Sequence, residues 1–156
     1  MIDIAHIHPM LVHFPIVFFI TATVIFFVIA IRKGDIAAKN CLPLTGAGVL
    51  VAGLLIGYLT AFFGDIALDA AVAKGFAIHP LDRHEGMAAV TLTVFSLLAV
   101  VLLAAFWKNV PLDSRRASYF TAAAVVGLVL LIVTAYFGGD LVYRIGVNVD
   151  SAVPMK

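Results

Sequence analysis

Four uncharged apolar stretches, each long enough to cross a bilayer, constrain this chain more than any other feature. A spanning helix needs roughly 18–20 predominantly apolar residues. The first stretch runs from about Pro9 to Ile31 and contains one histidine, His13. The second lies between Lys39 and Asp65, the third between Glu85 and Lys108, and the fourth between Arg116 and Asp140. Barrel strands would be much shorter and would alternate, so these stretches read as helices. The punctuation agrees: Pro9 suits a first helical turn, Pro43 opens the second span, and Gly64 and Gly138 stand where C-terminal caps belong. The predicted fold class is all-α, an integral membrane four-helix up-down bundle forming a single transmembrane domain over 1–156.

Composition closes the other classes. The 156 residues are 63% hydrophobic and 12% charged, against about 45–50% and about 25% in ordinary soluble domains. A soluble globule this small could not hide so much apolar surface, and disorder is excluded on the same ground. A net charge of +1 leaves no footprint for nucleic acid. The single cysteine, Cys41, excludes an internal disulfide, a CxxC pair and a cysteine metal cage; it reads as a packed thiol.

Charge sets the expected orientation. Arg32, Lys33 and Lys39 lie in the connection between spans one and two, and Lys108, Arg115 and Arg116 between spans three and four. Lys74, Arg83, Arg144 and Lys156 are spread over the other side, with most of the carboxylates. The two basic connections are therefore expected in the cytoplasm. Both termini then face outward from a bacterial inner membrane. The N-terminus lacks a basic leader region, so the first span reads as a retained helix.

The two halves resemble each other. His8-Pro9-Met10-Leu11-Val12-His13 at span one matches His79-Pro80-Leu81-Asp82-Arg83-His84 at span three. Span two ends Thr60-Ala61-Phe62-Phe63-Gly64-Asp65, and span four ends Thr134-Ala135-Tyr136-Phe137-Gly138-Gly139-Asp140. Repeat one covers about 6–66 and repeat two about 77–142. Two helices per unit keep both units in one orientation, with the pseudo-dyad along the membrane normal. Four of the five histidines, with Asp65 and Asp140, gather at the outer face; His6 lies just upstream and reads as an ordinary interfacial residue.

A polar ring inside an apolar helix is costly without a partner, so His13 and His84 carry a functional expectation. Imidazoles in a membrane bundle commonly ligate haem or another metal, or relay protons. Spans one and three are diagonal in an up-down bundle, and neighbouring axes about 8–10 Å apart make that diagonal roughly 11–14 Å. That leaves space for a macrocycle with one imidazole from each side. His13 and His84 are repeat-equivalent and form the first candidate pair; His8 and His79 form a second, nearer to water. Small residues on spans two and four, among them Gly53, Gly57 and Gly127, either admit the ring edges or pack helices closely. Phe14, Phe62, Phe63 and Phe137 lie at the same level. Arg83 and Arg144 are candidates to hold haem propionates.

Two other chemistries use the same residues. His8, His13, His79 and His84 with Asp65 and Asp140 would suit iron, zinc or copper, although no EXXH spacing of a di-iron bundle is present. A small repeat-type transporter or scaffold without cofactor is the third; the lack of charge at mid-depth argues against a carrier. GxSxG, a phosphate-cradling loop and HExxH are all missing. An electron-transfer protein or redox-complex subunit is expected before a stand-alone enzyme.

His8-Pro9-Met10-Leu11-Val12-His13-Phe14-Pro15-Ile16, with Tyr136-Phe137-Gly138-Gly139-Asp140-Leu141-Val142-Tyr143-Arg144-Ile145-Gly146-Val147, resembles the bacterial membrane family known as domain of unknown function 2231. The resemblance covers nearly the whole chain. Relatives of this kind occur joined to Rieske iron–sulfur or c-type cytochrome domains, which implies a redox neighbourhood and favours haem b over transport. In some of them threonine replaces the histidine matching His13, while those matching His8 and His84 are present, so the pair His8 with His84 stays open. This chain carries no Rieske or c-haem motif. Its expected partners are membrane lipid, quinone or a separate extracytoplasmic iron–sulfur or c-type cytochrome protein, with a homodimer also compatible.

Overall fold

The structure, a computed structural model, describes residues 7–149. The first span is a five-residue helix, α1 (Ile7–Leu11), followed after Val12 by α2 (His13–Ile31); α3 (Cys41–Ala73), α4 (Ile78–Lys108) and α5 (Ser114–Asp140) follow, and α5 runs on into a π-helical turn, Leu141–Ile145. Among the described residues there is no strand. Proline marks the helix starts: Pro9, Pro15, Pro43 and Pro80 are each the third residue of their helix. There the missing N–H removes no intrahelical bond.

Four segments are long and apolar enough to cross a membrane. Only 28–39% of each apolar window is buried inside the bundle, so most of each helix surface faces outward, as lipid-facing helices should. Neighbouring pairs are α2 with α3, α3 with α4, α4 with α5 and α5 with α2, the square of an up-down bundle with α2 and α4 on one diagonal. Trp107 and Tyr119 at one end, and Tyr136 and Tyr143 at the other, are all exposed, as aromatic belts require.

The core is held by rings set against glycines. Phe19 and Phe95 stack across the diagonal with centroids 4.0 Å apart. A Cβ on Gly53 would lie 3.0 Å from the Phe19 ring, and one on Gly127 2.9 Å from Phe95. Phe26 meets Phe120 edge-on at 5.2 Å, and a Cβ on Gly46 would lie 2.8 Å from Phe26. These glycines are filled by protein side chains, so close packing accounts for them. Cys41 is exposed and not the packed thiol expected.

The two basic connections are tied together by one carboxylate. Asp35 Oδ1 accepts from the backbone N–H groups of Ala37 at 2.8 Å and Leu112 at 2.7 Å, and Ile36 N–H donates to Leu112 O at 3.0 Å. This end is locked. At the opposite end α3 continues past Gly64 and Asp65 to Ala73. At about 1.5 Å per residue, its 33 residues make roughly 50 Å, well beyond a hydrocarbon core of about 30 Å. The overhang closes a small second core of Ala71, Leu81, Leu141 and Val147.

Gly64 and Gly138 therefore do not cap helices. Both are helical, and the chain turns instead at Gly75 and Gly146, where φ is +91° and +80°. The reason for glycine at 64 and 138 is the histidine lying against each.

Candidate functional site

At the end opposite the Asp35 tie, two imidazoles face each other. His8 Nδ1 donates to the backbone carbonyl of Thr60 at 2.8 Å, and His84 Nδ1 to that of Thr134 at 3.1 Å. The ring centroids are 6.1 Å apart and the planes nearly perpendicular, at 88°. A carbonyl oxygen only accepts, so each Nδ1 carries a hydrogen, and in the neutral tautomer of such a ring the free lone pair is on Nε2.

Each seat is built from one stretch of helix. A Cβ on Gly64 would stand 3.0 Å from His8 Nδ1, and one on Gly138 2.9 Å from His84 Cε1. Glycine four residues after threonine thus clears the helix surface over the threonine carbonyl and lets a ring reach it. The threonine hydroxyls turn back into their own helices, Thr60 to Ile56 O at 2.7 Å and Thr134 to Leu130 O at 2.9 Å. The two seats are alike, with sequence separations of 52 and 50 residues between histidine and threonine. The second has one addition, a 2.9 Å hydrogen bond between Thr134 Oγ1 and Thr91 Oγ1.

Between the seats lies an apolar cavity of about 80 Å³, lined by both imidazoles with Val12, Pro15, Ile16, Phe19, Leu92 and Leu131 among others. His13 and His79 are exposed and line no part of it. Helical phase is the reason. Residues five apart on a helix lie about 140° apart, so only one histidine of each HPxxxH segment can face inward. Position 8 is in phase with the inward Pro15 and Phe19, and position 84 with the inward Thr91 and Phe95. The structure thus brings together the first histidine of one motif and the last of the other, not the like positions His13 and His84.

The His/Asp set expected for a bare metal ion does not assemble. Asp65 is exposed, and Asp140 Oδ1 pairs with Arg144 at 3.0 Å. Among the described residues no group of three or more His, Cys, Asp or Glu could hold a metal. His6 lies outside the described residues. Phe14 and Phe62 are exposed, and none of Phe14, Phe62, Phe63 and Phe137 lines the cavity. Sequence reasoning missed Thr60, Thr134 and Phe19; the recurring Thr-x₃-Gly was the available signal.

Arg83 and Arg144 line a different opening, of about 150 Å³, with Pro80, Tyr136, Phe137, Asp140 and Leu141. It shares no lining residue with the imidazole cavity, though Arg83 adjoins His84 in sequence.

The family described as predicted membrane protein DUF2231 matches residues 5–151. The chain belongs to this family. The match spans both imidazole seats and all four membrane-crossing segments, so the whole bundle is the DUF2231 unit. No curated protein and no solved structure matches.

Proposed function

We propose that this DUF2231 protein binds b-type haem between His8 and His84 and transfers single electrons at the extracytoplasmic face of a bacterial inner membrane. The observation that carries the reading is the imidazole pair itself, with both Nδ1 atoms committed to backbone carbonyls. Metal-ligating histidines are held in this way, the second nitrogen fixing tautomer and ring direction. The ring centroids are 6.1 Å apart, so His8 and His84 would hold one group between them.

The donor set favours haem over a bare ion. His8 and His84 would supply the two protein nitrogens that a haem takes, whereas zinc, iron or copper alone would be left short of ligands. Haem held by His8 and His84 would supply single-electron transfer there. The chain's part is to hold the two rings, fix their tautomer through Thr60 and Thr134, and keep water away with the apolar wall around Phe19. The cavity is smaller than a macrocycle, so loading requires the short helix α1 to yield. The like construction of the two seats supports the two-repeat organisation, 6–66 and 77–142. Basic residues at the Asp35 end support placing that end in the cytoplasm. Quinol, or a separate iron–sulfur or c-type cytochrome protein, is then the electron partner on the histidine side.

The test is an optical spectrum of the detergent-purified protein before and after dithionite. A Soret band and sharp reduced bands are expected. A colourless preparation with stoichiometric zinc, iron or copper by elemental analysis would replace haem with a metal ion. A colourless, metal-free one would sink the proposal and leave a transporter or scaffold.

A further inference from the structure

We propose that the opening between Arg83 and Arg144 binds one oxyanion at the membrane surface, a phosphate diester or a carboxylate. Three features point there. The Arg83 guanidinium sits 4.6 Å above the Phe137 ring, and among the described residues no carboxylate pairs with it. Stacking holds the guanidinium in place while leaving its in-plane N–H donors for an anion. Arg144 is held by Asp140 at 3.0 Å, which cancels one charge and leaves the cavity with a net excess of one cation. The last feature is the backbone. Arg144 lies in the π-helical turn Leu141–Ile145, and such turns recur at functional sites.

The surroundings narrow the ligand. Tyr136 lines the cavity and is exposed. It belongs to the aromatic belt of this end, so the opening lies at headgroup depth. An oxyanion there has two sources. One is the phosphate of an anionic lipid, which needs nothing from the haem reading. The other is a carboxylate of the bound cofactor, which rests on that reading and follows from Arg83 adjoining His84.

Native mass spectrometry of the full chain in detergent separates these sources, titrating phosphatidylglycerol, phosphatidylcholine and haem in turn. Arg83→Gln is expected to weaken retention of phosphatidylglycerol, or of haem, at least about tenfold, the usual effect of losing a charge-assisted hydrogen bond. Arg144→Gln should act in the same direction, and Arg32→Gln, at the other end of the bundle, should change neither. Loss of the lipid assigns the headgroup; loss of haem affinity with unchanged lipid assigns the carboxylate. A His8→Ala/His84→Ala double variant should still retain phosphatidylglycerol if the lipid is the source, so failure of the haem reading would not remove that arm. Arg83→Lys covers the case in which Arg83→Gln fails to fold, keeping the charge without the fork and giving an intermediate loss. Unchanged retention of both ligands in folded Arg83 and Arg144 variants overturns the site.

Discussion

The two imidazole seats are built alike and braced differently. His84 stands on α4, a 31-residue helix that begins six residues before it, and its threonine is cross-linked to the same helix through Thr91. His8 stands on α1, five residues long and separated from α2 by Val12. Pro15 and Ile16 line the cavity on its side, and among the described residues Thr60 Oγ1 bonds only within its own helix. One imidazole is thus carried on a long helix braced by a cross-link, and the other on a single short turn without one. On the proposed reading that asymmetry would serve entry of a large planar group, because a pair of long braced helices leaves no route in.

Replacing the histidines should break the comparison most strongly. His84→Ala is expected to abolish pigment without preventing membrane insertion, since apolarity drives insertion. His8→Ala should leave haem on His84 alone, with an altered, five-coordinate spectrum. His13→Ala and His79→Ala should leave the absorption spectrum as it was. A six-coordinate spectrum of wild-type form in His8→Ala would remove the assigned pair.

Glycine substitutions sharpen it. Gly138→Ala places a methyl group 2.9 Å from His84 Cε1, and Gly64→Ala places one 3.0 Å from His8 Nδ1. Overpacking of this kind costs about 1–3 kcal/mol. Thermal unfolding in detergent should show the larger loss for Gly138→Ala, because His84 stands on a 31-residue helix with the Thr91 cross-link and His8 on a five-residue one. Equal losses would mean that the two seats are equally stiff. The smallest effect belongs to Thr91→Val, which removes the cross-link between Thr91 and Thr134. Interhelical hydrogen bonds in membranes average about 0.6 kcal/mol, so a small drop in stability is expected. The haem bands should broaden only slightly.

Much of this was legible in the residues. The four spans, their up-down order and the gathering of histidines at one end follow from local apolarity and from the even number of crossings. Which histidines meet was also partly legible, through helical phase: counting back from Phe19 and Phe95 selects His8 and His84. Matching the motifs position by position selected His13 instead, because an HPxxxH alignment counts letters and not degrees of rotation. Gly64 and Gly138 misled for a related reason. Glycine near the end of an apolar run is usually a stop, and nothing local shows that a ring from another helix needs the space.

The chain's own residues determined that it must live in a bilayer as four helices, because apolar length is a property of each segment alone. The tertiary structure decided which two rings face each other and which glycines exist to seat them. Those outcomes depend on the rotation of each helix about its axis, and that rotation is set by contacts such as Phe19 on Gly53 and Phe95 on Gly127, made between residues far apart in the chain.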